Sequence, residues 1–363
     1  MLLIALVVLF HFYIAFGASC NCSPVLVPVH VDVFVPKDPT DIFAGLKSNL
    51  SSLRRVEAIY SIYGLFCQPE SMPASGGGKD PGVLQLLVHG ITYTNQYWSP
   101  SVEEFQNYSY TAFSCDRGLS SLAIDWVGVG LSTRPANSSD MQHPTVAAAL
   151  SQLAHHLQTV SLLPGVPPFK TIIGIGHSAG SGLLTFAAII DGARSPFAAL
   201  ILTSALSDAG AAPTAPSSLV PSARDDTPLR WGALDPGYIT APNRSIFYPV
   251  DSTAFSPRMQ LFDAFTRDVG SVAILAQTGV VSLAAQNYGG RVAKVLGAAD
   301  QFICADGRCE DVAALSAAEG VLWPEAESFE LVVLQNSGHD LNLDFFAPAA
   351  FRTFVGLVKK FSR

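Results

Sequence analysis

The string Gly176-His177-Ser178-Ala179-Gly180 lies where an apolar run ending at Ile175 gives way to Leu183 to Ile190, a stretch of helix-forming character. A strand, a tight turn and a helix form the setting in which a serine hydroxyl is held clear of a sheet, because glycines on either side let the backbone turn sharply. The N-terminus of the helix then favours any negative charge that develops beside it. A hydroxyl is a poor nucleophile at neutral pH, so a base must take its proton and a third group must orient that base. The chemistry expected of Ser178 is therefore acyl transfer with a histidine and a carboxylate.

The sequence contains eight histidines. His11 lies in the apolar N-terminal stretch, His30 in an early strand, and His177 beside the serine with its side chain directed elsewhere. His155 and His156 are adjacent on a predicted helix and point about 100° apart, which suits surface residues rather than a chelating pair. His339, in Asn336-Ser337-Gly338-His339-Asp340, follows the last predicted strand with a glycine to permit the turn, and is the expected base. For the carboxylate, Asp300 stands just beyond another strand, in Val295-Leu296-Gly297-Ala298-Ala299-Asp300, and is the first choice. Asp208, after the preceding strand, and Asp306, between two cysteines, are rivals. Asp340 would have to fold back on its own neighbour and is left aside. Charge developing on an acyl oxygen needs two N–H donors, one normally from the residue after the nucleophile. Ala179 supplies that one, and Ile91, in His89-Gly90-Ile91-Thr92 after the run Val83 to Val88, is the candidate for the other.

The scaffold that must position these residues shows in the pattern of apolar runs. His30 to Pro36 and Val56 to Cys67 read as the first strands. Short near-continuous runs at Val83 to Val88, Leu122 to Trp126, Thr171 to Ile175, Ala198 to Leu202, Val292 to Leu296 and Leu331 to Leu334 then alternate with helix-forming segments. Strands apolar on both faces belong in a parallel sheet covered by helices. Val146, Leu150, Leu153 and Leu157 recur at helical spacing behind Pro144, which favours a helix start. From Asp208 to about Tyr288 the alternation lapses into a Pro-, Gly- and Ser-rich, then aromatic, stretch that reads as an insertion. Of 363 residues, 49% are hydrophobic and only 14% charged, which excludes a disordered chain. A net charge of -8 without any basic run argues against a nucleic-acid partner. The expected partner is a hydrophobic small molecule.

In the elbow at Ser178, the His-Gly pair at His89, the segment Asp125-Trp126-Val127-Gly128-Val129-Gly130-Leu131-Ser132 and the order Ser178, Asp300, His339, the chain resembles the α/β-hydrolase superfamily. The resemblance covers about residues 25–363. It implies an α/β-hydrolase fold: a mostly parallel eight-stranded sheet with helices on both faces and a cap inserted after the sixth strand. The core would then be residues 20–207 and 289–363, with the cap at 208–288. It also implies a serine hydrolase acting on an ester or lactone without a cofactor. It makes the second strand antiparallel and adjacent to the fourth, and on that basis a Cys67–Cys115 disulfide is expected. Relatives that open epoxides or remove halide carry aspartate at the elbow, where this chain has Ser178. Many of them also have proline where Thr92 stands, which leaves the geometry of the oxyanion loop open. Fold and catalytic residues do not fix the substrate, so carbon–carbon cleavage, lyase or cyclase chemistry, or pure binding, stand as alternatives.

The N-terminal stretch Leu2 to Phe16 is apolar and uncharged apart from His11, and Gly17, Ala18 and Ser19 follow as the small residues a signal peptidase requires. Residues 1–19 read as a cleaved secretory signal, with a retained anchor as the alternative, and no later run reads as a membrane span. Extracellular localisation follows. Sequons begin at Asn21, Asn49, Asn107, Asn137 and Asn243. The cysteines number six, an even count that suggests disulfides in an oxidising compartment. Cys304 and Cys309 bracket a short loop containing Gly307 and are the easiest to close, whereas Cys20 and Cys22 stay unassigned. No histidine lies close in sequence to either short-spaced cysteine pair, so no zinc or other metal is expected.

Overall fold

The computed structural model describes residues 20–41, 50–70, 82–207, 220–305 and 307–363. The predicted signal, Asn49, and the two rival carboxylates Asp208 and Asp306 lie outside the described residues. The chain opens with a long antiparallel hairpin, β1 (Cys20–Pro36) and β2 (Leu53–Pro69), paired from Cys20 opposite Pro69 to Pro36 opposite Leu53. β1 alternates strictly, Val25, Val27, Val29 and Val31 facing the core and their neighbours facing out.

β1 starts ten residues before the predicted His30, across Pro24 and Pro28, which in sequence look like strand breakers. The register explains their tolerance. Cys22 and Cys67 face each other with a Cα–Cα distance of 4.1 Å, the spacing of a non-hydrogen-bonded pair. Even-numbered residues of β1 therefore turn their backbone N–H away from β2, and β1 is an edge strand. Proline at 24 and 28 removes only donors that would point off the edge, where pairing with another chain is a hazard.

The same register corrects one expectation. Cys67 does not bond to Cys115. Cys22 bonds to Cys67, and Cys20, two residues back on the same side of β1, bonds to Cys115 with a Cα–Cα distance of 6.0 Å. β2 does run antiparallel to β4 (Ser120–Ile124), with Cys67 opposite Ser121, but β1 brings a nearer partner on its other side. Cys304 and Cys309 are bonded as expected.

The remaining strands are β3 (Val83–Val88), β5 (Thr171–His177), β6 (Phe197–Thr203), β7 (Arg291–Gly297) and β8 (Ser328–Leu334), giving the order β1-β2-β4-β3-β5-β6-β7-β8. Every pair from β4 to β8 is parallel. This is the α/β-hydrolase fold. β3 is buried along its whole length because helices cover both faces. The helix His143–Thr159 packs Val146, Leu150, Leu153 and Leu157 into one face together with the helix Ala179–Asp191. The helices Tyr110–Cys115 and Ala347–Phe361 cover the other, through Tyr110, Phe351 and Phe354. Between β6 and β7 the chain forms short helices at Ala223–Asp226, Pro228–Trp231, Pro257–Thr266 and Val272–Ala276, and a two-residue strand pair, Tyr238–Ile239 with Gly270–Ser271. Among the described residues no helix is long and apolar enough to cross a membrane.

Candidate active site

Parallel strands deliver their loops to one end of the sheet, and four of those loops meet. β5 ends at His177, and Ser178 follows with φ 51°, a left-handed conformation that strains any residue with a Cβ. The flanking glycines make the bend possible. A Cβ at Gly176 would stand 2.6 Å from Ser181 N, and one at Gly180 would strike the backbone oxygens of Val88 and His89. The turn is pinned by Ser178 N donating to Thr203 O at 2.9 Å. Ala179 opens the helix behind it, so its N–H belongs to the first turn, where no partner exists within the helix.

His339 Nε2 lies 2.9 Å from Ser178 Oγ, and His339 Nδ1 lies 2.7 Å from Asp300 Oδ2. The other oxygen of Asp300 accepts from Phe302 N at 2.8 Å and Ile303 N at 3.0 Å, which fixes the carboxylate's orientation. Burial works against a charge on His339, but the charge and hydrogen bond of Asp300 outweigh it and hold the imidazole above its ordinary 6.5. A hydroxyl, an imidazole and a carboxylate thus form one hydrogen-bonded chain able to draw a proton off Ser178. The described carboxylate nearest in role is Asp300; Asp340 turns away from His339.

Asp340 folds back, yet onto His177. Its Oδ1 is 3.2 Å from His177 Nε2, and its Oδ2 accepts from the Tyr93 hydroxyl. Burial pushes the Asp340 carboxyl up to about 6, against the pull of Arg244 and His339. His177 is stacked on Tyr97 with centroids 4.1 Å apart, and burial, then the neighbouring His339, keep it well below the usual histidine range and hence neutral. Its ring also lies 5.2 Å from that of His339, and no bond to Ser178 is formed. Asp344 supports the His339 loop by accepting from Gly338 N at 3.0 Å, and burial raises it to about 7.

The loop after β3 packs against Ser178: a Cβ at Gly90 would stand 3.3 Å from Ser178 Cβ, and Ile91 follows it. His89 is buried, accepts from Trp126 Nε1 at 2.8 Å, and is driven down to about 3 by burial. Asp125 ties this loop to the segment after β4, accepting from Asn95 N at 2.7 Å and Leu131 N at 2.9 Å. Thr92 has φ 63°, which a proline ring cannot adopt, so this loop takes a path closed to the proline-bearing relatives' residue. The ring of Phe247, from the insertion, lies 5.8 Å from that of His339, and Phe302 lies 5.2 Å from it.

Sequence reasoning missed Tyr93, Tyr97, Arg244, Asp263 and Asp344, which surround the three residues: Tyr93 bonds Asp340, Tyr97 stacks on His177, Arg244 joins Asp263 to Thr92, and Asp344 bonds the His339 loop. No periodicity marks them. His155 is exposed and His156 half-buried on their helix, as surface residues would be. Among the described residues no group of three or more His, Cys, Asp or Glu stands so as to hold a metal ion.

A family model described as the alpha/beta hydrolase family matches residues 85–353. Among solved structures, a bromoperoxidase from Bacillus anthracis is 14% identical, covering 91% of this chain and 100% of its own, with a TM-score of 0.53. An epoxide hydrolase from Vigna radiata is 13% identical over 83% of this chain and 95% of its own, with a TM-score of 0.52. A thermophilic esterase from Thermogutta terrifontis is 14% identical over 91% and 98%, with a TM-score of 0.50. Likeness at this identity speaks for the fold. No curated protein matches the sequence.

Proposed function

The chain belongs to the alpha/beta hydrolase family, and from that membership we propose that it is a secreted serine hydrolase cleaving esters or lactones of hydrophobic small molecules. One observation carries the reading: Ser178 Oγ, His339 and Asp300 are linked at 2.9 Å and 2.7 Å at the end of a strained strand-to-helix turn. Ser178 Oγ attacks the acyl carbon as His339 Nε2 takes its proton, and the carbonyl electron pair moves onto oxygen. The N–H groups of Ala179 and Ile91 bind that oxyanion. Collapse breaks the bond to the leaving oxygen, which receives the proton from His339, and leaves the acyl group on Ser178. Water, deprotonated by His339, then attacks the ester; Ser178 recovers its proton as the acid departs. Phe247 and Phe302 beside the imidazole support an apolar substrate.

Three disulfides support passage through an oxidising compartment. Asn21, Asn107, Asn137 and Asn243 are exposed, which suits glycosylation of a secreted chain. The test is labelling with a fluorophosphonate, peptide mapping, and turnover of p-nitrophenyl esters and lactones. The expected result is a single adduct at Ser178 and loss of turnover in Ser178→Ala. Labelling or turnover that survives Ser178→Ala refutes the assignment. Wild-type protein that labels yet leaves every ester and lactone intact would move the reading to lyase or cyclase chemistry.

A further inference from the structure

A buried cation from the insertion touches the loop that carries Ile91. Arg244 Nε lies 3.0 Å from both carboxylate oxygens of Asp263, and its Nη2 lies 2.8 Å from one of them. Its Nη1 donates to Thr92 Oγ1 at 2.9 Å. The guanidinium carbon stands 4.1 Å over the Tyr93 ring and 4.7 Å over the Phe247 ring. One planar group therefore contacts the residue after Ile91, the tyrosine that donates to Asp340, and the ring that packs on His339.

Thr92 is where that contact matters. A β-branched residue with positive φ is an outlier that persists only where its surroundings over-determine it. Three ties do so: Oγ1 accepts from Arg244, the carbonyl accepts from Asp268 N at 2.9 Å, and Tyr93 N closes onto Gly90 O across the turn at 3.3 Å. Only the first of these uses the Thr92 side chain. A buried ion pair adds little net stability compared with apolar residues of the same volume. What the Arg244 fork adds is direction, since one edge is held by Asp263 while the other presents a donor to Thr92.

We propose that Arg244 is a positioning residue for the hydrolysis: through Thr92 Oγ1 it holds the left-handed turn that keeps the Ile91 N–H at the place where the oxyanion forms. The inference rests on Ser178 being the nucleophile and Ile91 an oxyanion donor. Thr92→Val keeps the shape and removes the acceptor, Thr92→Ser keeps the acceptor, and Thr92→Gly relieves the backbone strain without one. Each is assayed with p-nitrophenyl butyrate, with active sites counted by fluorophosphonate labelling to completion, so that misfolded protein does not enter kcat.

Misplacing one oxyanion donor is expected to lower kcat about 100-fold in Thr92→Val and Thr92→Gly, with KM within about threefold and Thr92→Ser within about threefold of wild type. A general structural weakening would instead reduce the count of labelled sites and leave kcat per site alone. Wild-type kcat per site in Thr92→Val overturns the inference. Recovery in Thr92→Gly but not Thr92→Ser overturns it too, because backbone strain would then be the whole effect. A wild-type protein that neither labels nor turns over removes the serine premise and this inference together, whereas one that labels normally separates the two.

Discussion

Replacing Asp300 by asparagine tests the site most sharply, because the surroundings dictate how the amide must sit. Oδ1 of Asp300 accepts two backbone N–H groups, from Phe302 at 2.8 Å and Ile303 at 3.0 Å, while Oδ2 faces His339 Nδ1 at 2.7 Å. In Asp300→Asn the carbonyl oxygen must stay with the two donors; the reverse orientation would set an NH2 against them and leave both buried donors unsatisfied, at about 1–3 kcal/mol each. The NH2 therefore points at His339 Nδ1 and forces that nitrogen to accept. The ring proton moves to Nε2, which then faces Ser178 Oγ as a donor and cannot take its proton. The expected loss is about 10⁴ in kcat, or about 5.5 kcal/mol at 1.36 kcal/mol per decade, with the fold intact. The assay is steady-state turnover of p-nitrophenyl butyrate across pH. Asp340→Asn provides the comparison, since that carboxylate faces His177 and Tyr93 and should cost far less. An Asp300→Asn enzyme keeping more than about a tenth of wild-type kcat would refute the tautomer argument and remove Asp300 from the role.

His339 must be neutral to act as base, and Asp300 overcomes burial to hold it above 6.5, so kcat/KM should fall with acid through a midpoint above 6.5; a midpoint below that value would contradict the pairing. The linked stability has the opposite sense: the raised value favours the folded state fully below 6.5, and that contribution is lost as pH rises through the folded value. Gly180→Ala should cost about 3 kcal/mol or more, seen as a lower Tm, because the new Cβ meets the backbone oxygens of Val88 and His89, which cannot step aside. Peptide mapping without reduction should return Cys20 linked to Cys115 and Cys22 linked to Cys67; a Cys67–Cys115 peptide would refute the hairpin register. Replacing Cys22 and Cys67 together opens a span of 45 residues and should cost about 4 kcal/mol, against about 2 kcal/mol for Cys304 and Cys309, separated by 5.

The elbow, the sheet and the positions of Asp300 and His339 were legible because each is a local signal: glycines about a serine, an apolar run, a polar residue just past its end. Parallel strands covered on both faces leave near-continuous apolar runs, and the sites sit at their carboxyl ends. What was not legible is pairing across distance. Pro24 and Pro28 hid the first half of β1, since their acceptability depends on which edge faces outward, a fact of register and not of composition. The disulfide pattern followed from that same register. Arg244 and Asp263, 19 residues apart in a stretch without periodicity, pair within the insertion and reach Thr92 because the insertion folds over that loop. Tyr93 and Asp340, 247 residues apart, join because the loops after β3 and β8 meet at one end of the sheet.

Two buried ion pairs show how segments outside the sheet are tied to its strands and to the loops at their ends. Lys294 lies inside the apolar run of β7, buried against Glu319 from the helix Val312–Gly320. The Oε1 of Glu319 also accepts from Ser207 N at 2.9 Å and Ser207 Oγ at 2.6 Å, close to where the chain leaves β6. Arg244 and Asp263 repeat the arrangement within the insertion, with Thr92 in the place of Ser207. Apolar contacts would bury as much surface at less cost, but they tolerate sliding, whereas a charged fork or carboxylate accepts its partner from few directions. A site whose donors must stand within a few tenths of an ångström of a developing oxyanion gains from such direction. The Arg244–Asp263 pair therefore sits where a shift of the insertion would move Thr92, next to Ile91, and the Lys294–Glu319 pair where a shift of the helix Val312–Gly320 would move the chain leaving β6 at Ser207.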